Sequence, residues 1–175
     1  MVKPDERAVV TIRRYQPDDI EPCRALWVEL VDRHRRIYDD HAIGGSDPAR
    51  HFDAHLQRVG PAHIWIAEVD GRVIGMAGLV LGKPEAELEP LIVSERYRGL
   101  GVGRQLVDAV IETVRSAGVR LLKVQPVARN DSAIKFFHKR GFDVLGQMEM
   151  LMDLRPQASQ KWKDGEQIAG KTFKI

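Results

Sequence analysis

One stretch, Leu91–Gly103, constrains the fold more than any other part of the chain. It reads LIVSERYRGLGVG: an apolar run, a short polar turn, three alternating glycines and, from Val102, an amphipathic pattern. This order is typical of a strand, a glycine-rich turn and a helix. Backbone N–H groups at the start of a helix lack intrahelical partners and lie at the positive end of its dipole, so the turn predicts an anion site, most often for phosphate.

The turn differs from two common phosphate-binding motifs. No Lys–Ser/Thr pair follows Gly103, which excludes a P-loop. Gly99, Gly101 and Gly103 lack the two-residue gap of the dinucleotide fingerprint, and they lie in the middle of the chain. On these residues alone, a glycine-rich connection without a ligand stays open as the alternative.

The turn resembles the acetyl-coenzyme A signature of the GNAT acetyltransferase family, Arg/Gln-x-x-Gly-x-Gly/Ala after a strand, filled here by Arg98, Gly101 and Gly103. A second family motif, Asn-x-x-Ala followed by an aromatic pair and Gly-Phe, matches 130–142 in the same order. The resemblance covers roughly 9–154. It implies an α/β (mixed α+β) GNAT fold, with a central, mixed, mostly antiparallel sheet that is splayed at its fourth strand and flanked by helices.

Length and composition narrow the class of protein. A chain of 175 residues favours one domain with a sizeable core. The net charge of +2 is too small to indicate a nucleic-acid partner. The single cysteine, Cys23, excludes an internal disulfide and lies on an apolar helical face, where we expect a buried thiol rather than a nucleophile. No apolar run could span a membrane and no secretory signal is evident, so we expect a cytoplasmic protein with no membrane partner.

Hydrophobic periodicity predicts the order β-α-α-β-β-β-α-β-α-β-β. The predicted strands are Val9–Arg14, His63–Val69, Arg72–Leu81, Glu85–Val93, Val119–Val127, Phe142–Leu145 and Met148–Leu154. The predicted helices begin at Pro17, Ala49, Val102 and Asn130. Val119–Val127 is largely apolar, as expected of a central parallel strand.

The chain is predicted to contain a GNAT domain over residues 1–154 and a basic extension over 155–175. The extension carries five Lys/Arg and two Asp/Glu, and Pro156, Gly165 and Gly170 interrupt it. We expect it to be a surface appendage or a partner-binding arm that the fold does not need.

Two histidines, His51 and His55, stand four residues apart in the second predicted helix, where both could lie on one face. No third ligand stands at a telling spacing, so we expect a solvated helix face and no metal. The resemblance implies that this region, Tyr38–Pro61, forms one wall of the acceptor site.

The resemblance implies acetyl-coenzyme A as co-substrate. The implied binding residues are Leu91, Ile92, Val93, Arg98, Gly99, Leu100, Gly101, Val102, Gly103, Arg104, Asn130 and Phe137. Independently, Pro90 inside a strand predicts a bulge, or alternatively an edge strand that tolerates proline. In the family, backbone amides at such a bulge hold the acetyl carbonyl and the pantetheine arm.

Alternation along the strand places Glu85, Glu87 and Glu89 on one face, which is costly unless that face lines a polar cleft or meets solvent. A carboxylate near the bulge would serve as the general base that deprotonates an amine. Glu89 is closest to the bulge and is the first candidate, and Glu87 is the second. Some family members carry a glutamate on the following strand, where this chain has Gln125.

Phe137 occupies the position of the tyrosine that usually protonates the departing thiolate in the family. Tyr97 and water remain candidate donors. The predicted function is direct transfer of an acetyl group from acetyl-coenzyme A to a primary amine of a small molecule or peptide. The alternative is a catalytically weak acyl-coenzyme A sensor or interaction module. The acceptor stays open, as does a homodimer, which is frequent in the family.

Overall fold

The computed structural model of the protein describes residues 9–154 and 162–175. They form two compact units: residues 9–32 and 44–125 make up the first, and residues 33–43, 126–154 and 162–175 the second. The N-terminal residues 1–8 and the start of the predicted extension, 155–161, lie outside the described residues.

The first unit is built on a five-stranded sheet with the order β1-β2-β3-β4-β5. The strands are β1 Thr11–Arg14, β2 Ile64–Val69, β3 Arg72–Val80, β4 Glu85–Val93 and β5 Leu121–Lys123. β1 to β4 pair antiparallel, and β5 pairs parallel with β4. The predicted mixed, mostly antiparallel sheet is confirmed.

The described residues also form four α-helices: α1 Ile20–Tyr38, α2 Arg50–Val59, α3 Val102–Ser116 and α4 Asp131–Lys139. α1 begins in the first unit and ends in the second. Turn chemistry agrees with the sequence at the β2–β3 hairpin, where Asp70 and Gly71 both adopt positive φ, 49° and 72°. It also agrees after α3, where Gly118 has φ 68° and ends the helix.

The core of the first unit lies between the sheet and the apolar faces of its helices. The largest fully buried side chains include Phe52 of α2, Ile66 of β2 and Leu106 of α3. Cys23 of α1 is fully buried, and burial raises the pKa of its thiol to about 12. The prediction of an inert, buried cysteine is therefore confirmed.

The predicted strand Val119–Val127 is wrong in extent and in position. Only Leu121–Lys123 is strand, and β5 lies at the edge of the described sheet rather than in its centre. Leu121 is 47% exposed. Pro126 lacks an amide proton and disfavours continuation of a ladder, which is consistent with the early end of the strand.

In the second unit, Asn130 caps α4, as its position before the helix predicts. A hairpin of β6 Asp164–Ile168 and β7 Lys171–Lys174 gives the extension regular structure that the sequence did not predict. The predicted strands Phe142–Leu145 and Met148–Leu154 are absent from the described structure, because residues 142–154 have no ladder partner.

Candidate active site

β4 carries a bulge at the position where Pro90 predicts one. Ala77 of β3 pairs with Leu91, and Leu79 pairs with Leu88, so Gly78 alone stands opposite Glu89 and Pro90. The approach is close: a Cβ atom on Gly78 would lie 2.3 Å from the carbonyl oxygen of Glu89. Glycine is therefore required there, and the irregularity is part of the fold.

The sheet also opens beyond the bulge. β5 pairs only with Glu85–Glu87, so among the described strands 88–93 have a partner on one side alone. Backbone groups along that unpaired edge can bind a ligand in an extended conformation, as peptide-binding sheets do. The open edge of the fourth strand is thus a consequence of the shortness of β5.

The glycine turn leads directly from β4 into α3 through a 3₁₀ turn at Glu95–Tyr97. Gly99 and Gly101 adopt left-handed φ values of 83° and 81°, and a Cβ atom at either position would have no neighbour within 4 Å. The first amide of this region that donates to a backbone carbonyl is that of Gln105, to Gly101 O at 3.2 Å. Among the described residues, the amides of 99–104 have no backbone acceptor.

Two side chains hold the turn in place. Arg98 Nε donates to the carbonyl oxygen of Val93 at 3.0 Å. Glu29 of α1 accepts from Ser94 Oγ and from the amide of Glu95, both at 3.1 Å. The sequence carries no local signal for the role of Glu29, because its two partners lie 65 and 66 residues away along the chain.

The glycine turn has the features of an anion site. Unpaired amides at a helix N-terminus, open space above two glycines and the exposed Arg104 side chain favour a multiply charged anion. Arg98 would add positive charge beside the turn. Leu91, Ile92 and Val93 lie immediately before it, on the strand with the open edge.

The acidic face of β4 alternates as predicted: Ala86, Leu88 and Pro90 are buried, whereas Glu87 and Glu89 are partly exposed. Glu87 Oε2 lies 3.5 Å from Lys123 Nζ. Glu89 Oε2 accepts from Arg58 Nη2 of α2 at 2.5 Å, and both side chains are about half exposed. The structure thus places Glu89 at the bulge and Glu87 further from it.

The prediction of a solvated helix face is wrong for His55. Its side chain is buried, at 4% exposure, and its ring lies 5.4 Å from that of Trp27. Nδ1 is 3.2 Å from Arg58 Nη2, whereas Nε2 has no hydrogen-bond partner. Burial lowers the pKa of His55 to about 4. His55 and Arg58 stand three residues apart on α2, a spacing that places both side chains on one helix face. The sequence did not predict this contact.

Asn130 and Phe137 lie in the second unit. Asn130 Oδ1 accepts from the amide of Ala133 and from Arg33 Nη2, each at 3.3 Å. The Phe137 ring packs edge-to-face with Phe136 and Phe142. Both residues have clear structural roles, and their part in cofactor binding stays a prediction.

The described part of the chain lacks two further features, a cluster of metal ligands and a helix that could span a membrane. No cluster of three or more His, Cys, Asp or Glu side chains there could hold a metal ion. No helix there is long and apolar enough to cross a membrane.

Comparison with known proteins identifies the family. The sequence model of the acetyltransferase (GNAT) family matches residues 27–142. The uncharacterized N-acetyltransferase MJ1207 of Methanocaldococcus jannaschii is 24% identical over 140 residues, covering 76% of this chain and 60% of that protein. The L-methionine sulfoximine/L-methionine sulfone acetyltransferase of Pseudomonas paraeruginosa is 24% identical, with 82% of each chain covered.

A solved structure supports the same fold. Aminoglycoside N-acetyltransferase AAC(6')-Iy in complex with CoA is similar with a TM-score of 0.61 and 21% identity, covering 89% of this chain and all of that one. The family match spans the bulged strand, the glycine turn and α4. The chain therefore belongs to the GNAT acetyltransferase family.

Proposed function

We propose that the protein transfers an acetyl group directly from acetyl-coenzyme A to a primary amine of a small molecule or peptide. The observation that carries the proposal is the position of Glu89. This partly exposed carboxylate lies at the β4 bulge, on the strand segment whose edge is open and which leads into the glycine turn. A base, an oxyanion-binding edge and an anion site thereby follow one another along the chain.

The open edge of β4 would orient the thioester, since alternate backbone amides within Leu91–Val93 point away from β3, toward the side where β5 has ended, and could bind the carbonyl oxygen and the pantetheine amides. Amides aimed at that oxygen also stabilise the charge that develops on it as the amine attacks. The turn at Gly99–Arg104 would hold the pyrophosphate. Asn130 and Phe137, in the second unit, stay predicted cofactor-binding residues on the strength of the family resemblance.

Glu89 would take the proton from the acceptor ammonium, directly or through water. Glu87 is the second candidate, but its contact with Lys123 places it near β5 rather than at the bulge. Phe137 cannot donate a proton, so the departing thiolate would be protonated by water or Tyr97.

One observation favours a second candidate function, an acyl-coenzyme A sensor or interaction module. Phe137 and Gln125 replace two groups that support turnover in the family, and neither can titrate. The two functions differ in a steady-state assay that detects free thiol from acetyl-coenzyme A with a panel of amines. Amine-dependent thiol release supports the enzyme, whereas binding without release supports the sensor.

A further inference from the structure

The Arg58–Glu89 pair contributes little to the stability of the fold. Its two side chains are 52% and 43% exposed, and exposed ion pairs contribute little free energy of folding. Yet the pair lies beside the bulge, and one of its members is Glu89, the carboxylate that we propose as the base. Through this contact Arg58 joins α2, which lies in the region that the family resemblance assigns to the acceptor site, to the acidic face of β4.

A hydrogen bond with the buried His55 ring holds the Arg58 guanidinium in position. A guanidinium only donates hydrogen bonds, so Nδ1 of His55 must accept from Arg58 Nη2. The ring is neutral at physiological pH because burial lowers the pKa of His55 to about 4. The proton of the neutral ring therefore lies on Nε2, which is buried without a partner against Gly78 of the bulge.

The pair leaves hydrogen-bonding groups of both charges free. Both contacts of Arg58 use Nη2, so among the described residues Nη1 and Nε have no partner, and neither has Oε1 of Glu89. A cation-binding oxygen and two nitrogen atoms that can donate to an anion thus lie side by side on an accessible surface. A small ligand with adjacent ammonium and carboxylate groups complements this arrangement.

We propose that Arg58 and Glu89 form a subsite for a zwitterionic acceptor, a free α-amino acid, whose carboxylate binds Arg58 and whose ammonium binds Glu89. This inference rests on the proposed acetyl transfer. His55 is a positioning residue that holds the guanidinium at the rim of the bulge. A peptide amino terminus or a polyamine lacks the neighbouring carboxylate and leaves Arg58 without its ligand.

The proposed reaction forms one carbon–nitrogen bond, breaks one carbon–sulfur bond and removes two protons from the acceptor nitrogen. The acceptor ammonium gives one proton to Glu89, and its nitrogen then forms a bond to the acetyl carbon. The carbon–sulfur bond breaks and its electron pair stays on sulfur. The nitrogen loses a second proton as the amide forms. One of the two protons ends on the thiol and the other reaches solvent.

The test compares L-amino acids with their own amides as acceptors, with acetyl-coenzyme A and thiol detection. The amide keeps the amine and side chain but removes the carboxylate charge. Loss of a hydrogen bond to a charged group corresponds to about 10- to 100-fold, so we expect kcat/KM to favour the acid by that factor. Arg58→Gln should abolish the preference, chiefly through the KM of the acid. Arg50→Gln, on the same helix, should retain it.

Several results would overturn the inference. Equal kcat/KM for amino acids and their amides in the wild-type protein would be enough to reject the subsite, and that comparison needs no variant. Preference that survives in folded Arg58→Gln is also sufficient. If amines without a carboxylate are acetylated and amino acids are not, the subsite fails while the proposed function stands. If no acceptor of any kind releases thiol, the proposed function fails as well.

The role of His55 is tested by a pair of variants. His55→Asn retains an acceptor near the position of Nδ1 and should keep the acid-over-amide preference. His55→Leu removes the acceptor and should reduce that preference, with the thermal transition measured in parallel. Equal preference in the two folded variants would exclude the positioning role.

Discussion

Apolar side chains are buried in the first unit, whereas comparable ones in the second unit are exposed. In the first unit, Leu106, Val107 and Val110 of α3 are fully buried against the sheet. In the second unit, Val144 and Leu145 are 87% exposed and Met152 is 82% exposed. Their sequence patterns alone predict strand as firmly as those of β2 and β3. Alternation therefore supplies a face to bury, whereas a strand also needs an edge with which to pair.

The same contrast holds for the candidate site. The first unit holds the acids, the bulge and the glycine turn on adjoining segments. The second unit holds Asn130 and Phe137, whose side chains already serve a helix cap and an aromatic cluster. We therefore expect substitutions in the first unit to have large effects on activity and stability, and matched substitutions in the second to have small ones.

The largest expected effect is on turnover. Glu89→Gln removes the basic oxygen but keeps the size of the side chain, so kcat should fall about 100- to 10,000-fold, the usual contribution of general acid–base catalysis. Affinity for acetyl-coenzyme A should change little. Glu85→Gln, at the exposed start of the same strand face, is the control. Full activity of Glu89→Gln across the pH range would transfer the role to Glu87 or to an amine that arrives deprotonated.

Shortening a leucine to alanine should lower the free energy of unfolding far more in the first unit than in the second. Leu106→Ala leaves a cavity under the sheet and should lower the free energy of unfolding by about 2 to 5 kcal/mol. Leu145→Ala removes the same atoms from an exposed position and should change it by less than about 0.5 kcal/mol. Denaturant titrations measure both. A comparable loss for Leu145→Ala would show that residues 142–154 are covered in solution.

His55 should make stability depend on pH. Its pKa falls to about 4 in the folded protein from an ordinary 6.5, so between these values the unfolded chain binds a proton that the folded chain does not. Stability is complete above pH 6.5 and falls as the pH approaches 4, by on the order of 2 to 3 kcal/mol. His55→Gln should flatten this dependence, whereas exposed His51→Gln should not. Parallel pH curves for wild type and His55→Gln would contradict the assignment.

The glycine turn should be sensitive to a side chain in a way that another left-handed glycine is not. Gly101→Val strains a left-handed residue and covers the anion site, so coenzyme A affinity should fall about 10-fold or more. Gly170→Val creates the same backbone conflict in the β6–β7 turn and should leave affinity unchanged. Calorimetry measures both. Unchanged affinity in folded Gly101→Val would exclude the turn as the pyrophosphate site.

The smallest effect is expected at Phe137. Phe137→Tyr restores the hydroxyl that the family usually carries. It should raise kcat a few-fold if protonation of the thiolate limits the rate, and leave kcat unchanged if amine deprotonation or product release does. A large loss of kcat with a normal thermal transition would show that the new hydroxyl disturbs the site instead.

Local chemistry determined much of this protein from sequence alone. The strand Glu85–Val93, the hairpin at Asp70–Gly71 and the helix stop at Gly118 depend on residues within a few positions of one another, and each is found as predicted. The bulge at Pro90 belongs to the same class, because a missing amide proton disrupts a ladder wherever the strand lies. The glycine turn and its helix likewise need no distant partner.

Tertiary structure decided the rest. His55 became a buried, neutral anchor and Arg58 a partner of Glu89 because α2 packs against β3 beside the bulge. Glu29 reached the turn across 65 residues. Residues 142–154 have the alternation of strands but no edge to complete them, and β5 ends after Lys123. In each case the outcome depends on which backbone or side chain arrives opposite, which periodicity along one segment does not encode.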